Sequence, residues 1–226
     1  MKLLIDDASI ENIEKLLELY PIDGVTTNPT ILSKACVNPK KRLEEIRNII
    51  GEDRDLHVQV LAHKKEDIKE QAYKLVDLLG ENTYIKIPAY KEGFKAIEEL
   101  SKENINTTAT AIYSPMQAFM AAKSGAIYLA PYVNRIDNLG YEGVGISLKI
   151  QNILENNNFD SEILAASFKN TNQVLSLVER GVGAITIAPV VFDNLINDYN
   201  IDFAIQQFGK DFENLLDGKA SFIDLL

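Results

Sequence analysis

Cysteine and histidine are scarce in this sequence, and tryptophan is absent. The 226 residues include one cysteine, Cys36, and two histidines, His57 and His63. A single cysteine cannot form an internal disulfide bond or a cysteine-rich metal site. No second histidine or cysteine accompanies His57, so we expect both histidines to be structural and the protein to need no metal. The low cysteine content is typical of a reducing cytoplasm.

Long apolar runs are also missing. The first residues, Met-Lys-Leu-Leu-Ile-Asp-Asp, contain too short an apolar run for a signal peptide. No stretch approaches the roughly 20 apolar residues that a membrane-spanning helix needs. The sequence therefore predicts a soluble, cytoplasmic protein that does not bind or span a membrane.

Positive charge is in short supply. The chain has 23 Lys and Arg against 33 Asp and Glu, a formal net charge of −10. This balance argues against nucleic-acid binding through a basic face. It would also repel an anionic small molecule, so a phosphate-bearing ligand would have to be captured by a few local cations.

Short apolar segments alternate with amphipathic ones along the whole chain. Apolar residues make up 46% of the sequence, enough for a sizeable core. Predicted strands cover residues 3–6, 24–27, 56–62, 84–89, 107–113, 126–133, 162–168 and 184–188. Apolar residues spaced by three and four predict helices near residues 10–20, 43–50, 65–79, 94–100, 114–123, 143–156, 171–180 and 190–197.

Eight strand–helix units predict an α/β protein, a (β/α)8 TIM barrel with an additional C-terminal helix, as a single domain over residues 1–226. A doubly wound sheet is the alternative, but its glycine-rich dinucleotide-binding motif is absent. The additional helix carries an apolar stripe of Phe203, Phe208, Phe212, Leu215 and Leu216, and the chain ends Ser-Phe-Ile-Asp-Leu-Leu. The tail within 201–226 packs either on its own barrel or on a neighbouring subunit, and the sequence leaves both open.

Polar residues lie near the C-terminal ends of seven predicted strands, where barrel enzymes place their active sites. They are Asp6, Thr26, Thr27, Asn28, Gln59, Lys86, Thr110, Tyr132 and Ser167. Arg135 and Lys169 follow the sixth and seventh strands and are candidate phosphate ligands. The convergence of so many polar groups predicts one site at this end of the barrel.

Lys86 is the most informative of these residues. Its neighbours Ile85 and Ile87 are apolar, so strand alternation turns Lys86 the other way, into the barrel. Desolvation there would lower the lysine pKa and provide the free amine that a nucleophile needs. The alternative is an ordinary lysine at a solvated strand end.

The other candidates have structural alternatives too. Asp6 could cap the next helix, although Asp7 and Ser9 are equally placed to do so. Asn28, before Pro29, could serve only in a turn. Gln59, Thr110, Ser167 and Tyr132 could be hydrogen-bonded core residues, Arg135 could pair with Asp137, and Lys169 could lie in a solvated loop.

Four segments together resemble the small-transaldolase family over nearly the whole chain. They are Gly-Val-Thr-Thr-Asn-Pro-Thr at 24–30, Ile-Lys-Ile-Pro at 85–88, Ala-Pro-Tyr-Val-Asn-Arg-Ile-Asp at 130–137 and Leu-Ala-Ala-Ser-Phe-Lys at 164–169. The resemblance implies a (β/α)8 barrel that uses no cofactor. It also implies a homo-oligomer, a pentamer or decamer, in which C-terminal helices reach across subunits.

The resemblance also implies residue roles. Lys86 would form a Schiff base with a sugar phosphate, with Asp6 as its acidic partner. Thr26 belongs to the matching segment, and Asn28 and Ser167 would bind the substrate. Arg135, Ser167 and Lys169 would bind the phosphate. Thr110 matches a threonine that holds a water.

Two positions distinguish the family's aldolases from its transaldolases. Gln59 and Tyr132 match the aldolases, which have glutamine and tyrosine where transaldolases have glutamate and phenylalanine. Asp7 departs from the usual threonine, and Ser114-Pro115-Met116 looks more like the transaldolase loop. The resemblance thus implies a class I aldolase that cleaves or forms fructose 6-phosphate from dihydroxyacetone and glyceraldehyde 3-phosphate. Transaldolase is the alternative, and a non-catalytic barrel that binds sugar phosphates is another.

Overall fold

The computed structural model describes residues 1–215 and residue 223. Eight parallel strands form a closed barrel in which each strand pairs with the next and β8 pairs with β1. The strands are β1 (Lys2–Asp6), β2 (Gly24–Thr26), β3 (Asp55–Gln59), β4 (Thr83–Pro88), β5 (Thr107–Ile112), β6 (Tyr128–Pro131), β7 (Glu162–Ala165) and β8 (Ala184–Ile187). The predicted (β/α)8 barrel is confirmed.

A helix follows every strand, and the helices within residues 1–192 lie outside the barrel. They are α1 (Ile10–Leu19), α2 (Pro29–Ala35), α3 (Pro39–Ile50), α4 (Lys65–Leu79), α5 (Lys91–Lys102), α6 (Pro115–Lys123), α7 (Val133–Asn138), α8 (Gly143–Asn156), α9 (Thr171–Val178), α10 (Pro189–Ile196) and α11 (Tyr199–Leu215). Local sequence signals determine where many of these helices begin. Ser114 and Gln117, for example, form a reciprocal capping box at the start of α6, and Pro115 occupies the first position of the helix.

Two short helices, α2 and α7, were not predicted. Asn28 caps α2 by accepting a hydrogen bond from the Ile31 amide at 3.0 Å, and Pro29 occupies its first turn. The predicted sixth strand was too long, since β6 ends at Pro131 and Val133 already begins α7. Both helices begin at the C-terminal end of the barrel and bring side chains to its mouth.

The opposite part of the barrel interior is filled by apolar and aromatic side chains. Their cluster comprises Leu4, Tyr84, Tyr128, Leu164 and Ala184. His57 stacks on Tyr84 with ring centroids 4.6 Å apart, and its Nδ1 shares a 2.8 Å hydrogen bond with the Thr108 hydroxyl. The 2.6 Å ion pair of Lys2 with Asp55 lies beside this cluster, with Lys2 Nζ 5.8 Å from the centre of the Tyr128 ring.

The chain divides into a barrel unit, Met1–Phe192, and a second unit from Asp193 onward. Within the second unit, the predicted C-terminal helix is present as α11, with the side chains of Ile201, Phe203, Ile205 and Phe208 each more than half exposed. Leu216 and most of the predicted tail lie outside the described residues. The single domain and the docking of 201–226 on another subunit stay predictions. No helix of the described chain is long and apolar enough to cross a membrane.

Candidate active site

A cavity of about 430 Å³ opens at the C-terminal end of the barrel. Seven of the ten predicted site residues line it, namely Asp6, Asn28, Lys86, Tyr132, Arg135, Ser167 and Lys169. These side chains come from five of the eight strand–helix units, those that begin with β1, β2, β4, β6 and β7. The structure therefore brings together residues that lie up to 163 positions apart in the chain.

Lys86 lies on β4 with its side chain turned into the barrel. It is 4% exposed, while Ile85 and Ile87 are fully buried on the other side of the strand. Its Nζ donates a 2.9 Å hydrogen bond to the Thr27 carbonyl oxygen, and within the described residues it is in no ion pair. Burial lowers the pKa of Lys86, and the charge of Asp6 opposes this effect. The amine is therefore closer to its nucleophilic, neutral form than a surface lysine is.

Asp6 ends β1 at the same cavity. Burial raises the pKa of Asp6, whereas the charge of Lys86 and a 2.7 Å hydrogen bond from the Thr26 hydroxyl lower it. The Ser9 side chain caps α1, so Asp6 is not the cap of that helix. A carboxylate whose pKa is raised is a better proton acceptor near neutral pH.

Thr26 pairs with Asp6 in the β1–β2 register and is fully buried. Because its proton is directed to Asp6, the Thr186 hydroxyl, 2.7 Å away, donates to Thr26 in turn. Thr186 also lines the cavity, although it is not among the residues predicted from the sequence. The alternation Ala-Ile-Thr-Ile of β8 would have revealed it, since Thr186 shares the inward side of the strand with Ala184.

Tyr132 contributes a phenol to the cavity. Its hydroxyl shares a 2.9 Å hydrogen bond with the hydroxyl of Thr110, which does not itself line the cavity. Burial raises the pKa of Tyr132, with Thr110 and the charge of Arg135 opposing it. The phenol is therefore protonated at neutral pH and able to donate a proton.

Three predicted residues do not line the cavity, namely Gln59, Thr26 and Thr110. Thr26 and Thr110 hydrogen-bond to lining residues, whereas Gln59, within the described part of the chain, does not. It pairs with Lys86 in the β3–β4 register, but it borders a separate, largely apolar cavity of about 390 Å³. A catalytic role for Gln59 stays a prediction.

Arg135, Ser167 and Lys169 line one side of the cavity. The Arg135 guanidinium lies 4.6 Å from the centre of the Tyr132 ring, a cation–π distance. Within the described residues Arg135 and Lys169 are in no ion pair, so the suspected Arg135–Asp137 bridge is absent there. Ser167 has a φ of 64°, in the left-handed region that a non-glycine residue rarely adopts and that recurs at binding sites.

Gln173, on α9, ties this side of the cavity together and was not predicted. Its Oε1 accepts a 2.9 Å hydrogen bond from the Lys169 amide, and its Nε2 donates to Asp137 Oδ2 at 2.5 Å. Nε2 also lies 3.3 Å from Asn134 Oδ1. Gln173 is buried, which strengthens these hydrogen bonds. They fix the positions of α7 and of the segment between β7 and α9 relative to each other.

Asn28 lies on the other side, at the start of α2. Its Oδ1 is used in capping, which leaves its amide NH₂ without a partner among the described residues. Thr30 and Lys34, on α2, also line the cavity. Neither residue was predicted, because α2 itself was not.

The described residues contain no group of three or more His, Cys, Asp and Glu arranged to hold a metal ion. The reactive groups that the cavity does present are an amine, a carboxylate and a phenol. With cationic side chains at its edge, this combination can form a covalent imine with a carbonyl compound, move protons around it and bind an anionic substituent.

A buried strand lysine at the mouth of a closed (β/α)8 barrel is an arrangement suited to carbonyl chemistry. The sequence matches the Transaldolase/Fructose-6-phosphate aldolase family over residues 3–225. The chain belongs to this family, as the sequence resemblance predicted.

Curated relatives carry both names of the family. A probable transaldolase of Thermoplasma volcanium is 39% identical over 221 residues, covering 97% of this chain and 99% of the relative. A probable fructose-6-phosphate aldolase of Streptococcus pneumoniae is 36% identical over 212 residues, covering 93% and 96%. A probable transaldolase of Thermodesulfovibrio yellowstonii is 38% identical over 215 residues, covering 95% and 99%.

The barrel also resembles a solved structure from Coccidioides immitis that bears the name of a fructose-1,6-biphosphate aldolase. The TM-score is 0.55 with 17% sequence identity, covering 85% of this chain and 75% of the other. At this identity the likeness concerns the fold alone.

Proposed function

We propose that this protein is a class I aldolase that forms a Schiff base through Lys86 and cleaves or forms fructose 6-phosphate. The observation that carries the proposal is the Lys86 amine, buried at a cavity that also presents Asp6 and Tyr132. Desolvation favours the neutral, nucleophilic amine. Arg135 and Lys169, neither in an ion pair within the described residues, supply the local positive charge that a chain of net charge −10 needs to bind a phosphate.

The first half of the reaction forms the imine. The neutral Lys86 amine adds to the C2 carbonyl carbon of fructose 6-phosphate, and Tyr132 delivers a proton to the developing C2 oxide. Loss of this oxygen as water, with the nitrogen lone pair forming the C=N bond, gives a protonated imine.

The second half breaks the C3–C4 bond. Asp6 accepts the proton of the C4 hydroxyl, the bond's electron pair moves toward the imine nitrogen, and glyceraldehyde 3-phosphate leaves. The proton held by Asp6 passes through water to the phenolate that Tyr132 became in the first half. Tyr132 then protonates the enamine at C3, in a relay that we assign to Gln59, Thr110 and a water. Hydrolysis of the resulting imine consumes one water, releases dihydroxyacetone, returns a proton to Tyr132 and regenerates the neutral Lys86 amine.

Transaldolase is the second candidate, because relatives of similar identity bear that name. In a transaldolase the enamine is captured by a second aldehyde instead of a proton. Ser114, Pro115 and Met116 favour this alternative by their resemblance to the transaldolase loop. We favour the aldolase, a lyase, because Tyr132 places a proton donor at the cavity.

Borohydride reduction in the presence of dihydroxyacetone tests the covalent step. We expect a stable mass adduct that peptide mapping locates on Lys86 and that Lys86→Met abolishes. Lys123→Met is the matched control, since Lys123 is an exposed lysine on α6. Absence of the adduct while sugar phosphates still bind would overturn the enzyme and support a non-catalytic binding protein.

We also propose that the protein is a homo-oligomer, the pentamer or decamer that the resemblance implies. The exposed apolar side chains of Ile201, Phe203 and Phe208 support self-association through α11. Light scattering after size-exclusion chromatography tests it, and a monomer at micromolar concentration would contradict it. The cytoplasmic location stays a prediction.

A further inference from the structure

We propose that Thr186 is a further positioning residue of the reaction. Through Thr26, its hydroxyl holds the Asp6 carboxylate in the orientation and the ionised form in which Asp6 acts as the base. The inference rests on the proposed function, from which it takes the role of Asp6. Thr186 lines the same cavity as Lys86 and Asp6. We call Thr186, Thr26 and Asp6 the hydroxyl chain.

Two short hydrogen bonds build the hydroxyl chain. Thr26 Oγ1 lies 2.7 Å from Asp6 Oδ1 and 2.7 Å from Thr186 Oγ1. The strand of Asp6, β1, pairs on one side with β2, which carries Thr26, and on the other with β8, which carries Thr186. Alternate strands of a barrel contribute side chains to the same layer of its interior, and this is how the two threonines meet. Three paired strands therefore fix the positions of the three side chains.

The charge at its end sets the direction of the chain. An ionised carboxylate can only accept hydrogen bonds, so the single proton of the Thr26 hydroxyl is used on Asp6. The Thr26 oxygen can still accept, and Thr186 is the donor that reaches it. Hydrogen bonds in a chain polarise one another, so the bond from Thr186 strengthens the bond that Asp6 receives.

The chain is shielded from water at both threonines. Thr26 is fully buried and Thr186 is 2% exposed. Within the described residues the Thr26 hydroxyl has no hydrogen-bond partner other than Asp6 and Thr186. A buried oxygen that loses its partner is costly to leave unpaired. Loss of the Thr186 hydroxyl would therefore disturb Thr26 without a replacement among these residues.

Asp6 depends on this donor because its other surroundings vary during the reaction. Burial raises the pKa of Asp6, whereas the charge of Lys86 and the hydrogen bond from Thr26 lower it. The charge of Lys86 is absent whenever its amine is neutral, as attack on the ketone requires. The hydrogen bond from Thr26 persists. The charged or titratable groups that face Asp6 are Lys86, Arg135, Asp7 and Tyr132.

An NMR titration of isotope-labelled aspartate carboxyl carbons in the full-length protein tests the inference without requiring turnover. Asp6→Asn identifies the Asp6 signal. We expect Thr186→Val to move the titration of Asp6 to higher pH, and Thr186→Ser, which keeps the hydroxyl, to leave it in place. In a Thr26→Val background, Thr186→Val should cause no further shift, because the chain is already interrupted.

The kinetic consequence is a lower kcat. We expect Thr186→Val to reduce kcat for fructose 6-phosphate cleavage about tenfold at nearly constant KM, because a misplaced general base loses part of its contribution. Thr186→Ser should retain the rate. Thr107→Val is the control, because Thr107 is also a buried strand threonine, but its hydroxyl has no partner in the described structure.

An unchanged Asp6 titration in Thr186→Val would overturn the inference. So would a shift of full size in the Thr26→Val background, a Thr186→Ser variant that behaves like Thr186→Val, or a shifted titration with unchanged kcat. Thermal melting of each variant shows that it is folded. Absence of a borohydride adduct on Lys86 in the unchanged protein would refute the aldolase while the titration still decides the chain. An adduct with an unchanged titration would do the reverse.

Discussion

The hydroxyl groups of Thr110 and Tyr132 lie 2.9 Å apart and join β5 to the end of β6. Arg135 covers the Tyr132 ring from one side at 4.6 Å. These two contacts hold the phenol at the cavity in one orientation. The proton that this phenol supplies to the enamine is what would distinguish cleavage from transfer.

Replacing Tyr132 with phenylalanine should therefore move the enzyme from cleavage toward transfer. Without the hydroxyl the enamine is protonated more slowly and persists for capture by an aldehyde. We expect the ratio of transfer to cleavage to rise by about tenfold or more, within the usual effect of removing a general acid. Product ratios with erythrose 4-phosphate as acceptor measure it.

Tyr113→Phe is the control for that experiment. The Tyr113 ring packs edge-on against Tyr132 at 5.8 Å, but Tyr113 does not line the cavity. Its product ratio should match that of the unchanged protein. An unchanged ratio in Tyr132→Phe would show that the phenol does not control the fate of the enamine.

Gln173 should strengthen substrate binding by positioning Lys169 and Asp137. Gln173→Ala removes the bonds to Lys169 and Asp137, and we expect the KM for fructose 6-phosphate to rise by about tenfold with little change in kcat. Gln151→Ala is the control, since among the described residues the Gln151 side chain hydrogen-bonds only to Glu155 on the same helix. A fall in kcat at constant KM would contradict the positioning role.

The pH at which activity is lost on the acid side should depend on Thr26. The Thr26 hydrogen bond lowers the pKa of Asp6, so Thr26→Val raises it. Asp6 works as a base only when deprotonated, and activity is lost as the pH falls through its pKa. We expect this loss to begin at a higher pH in the variant than in the unchanged protein.

A pH profile of kcat/KM measures the Thr26 effect. Thr107→Val serves as the control, because the Thr107 hydroxyl is buried without a hydrogen-bond partner in the described structure. Superimposable acid limbs for Thr26→Val and the unchanged protein would refute Asp6 as the base.

His57 should make the fold sensitive to acid. Burial, with the charges of Lys86 and Lys2, lowers the pKa of His57 well below the ordinary value of 6.5. Below about pH 6.5 the unfolded chain binds a proton that the folded chain does not. The free energy of unfolding should therefore fall with decreasing pH, by up to about 1.4 kcal/mol per unit from this residue.

Urea unfolding between pH 4.5 and 7.5 tests the His57 prediction. His57→Phe should lose this part of the pH dependence, while His63→Gln, which changes an exposed histidine, should keep it. Equal slopes in His57→Phe and the unchanged protein would mean that His57 is protonated in the folded state.

The barrel was predictable because its strands are short apolar runs separated by long amphipathic helices. The bounds of α4 and α8 agree with the prediction at both ends. The two short helices were not predictable by periodicity. Seven residues of α2 and six of α7 make too few turns to show a repeat, and the apolar run that ends at Val133 passes from strand into helix without a break.

The candidate site was predictable where strand alternation turned a polar side chain inward, as at Lys86. It was not predictable where the residue acts through tertiary contacts. Gln173 is an ordinary helix residue in the sequence, and its bonds to Lys169 and Asp137 depend on the closure of the barrel. Lys34 reaches the cavity only because of the unpredicted α2.

The most direct test of the proposed function is a coupled assay of glyceraldehyde 3-phosphate released from fructose 6-phosphate, with and without erythrose 4-phosphate. We predict release without the acceptor, because Tyr132 protonates the enamine and hydrolysis frees Lys86. Release only when erythrose 4-phosphate is present would contradict the aldolase and identify a transaldolase.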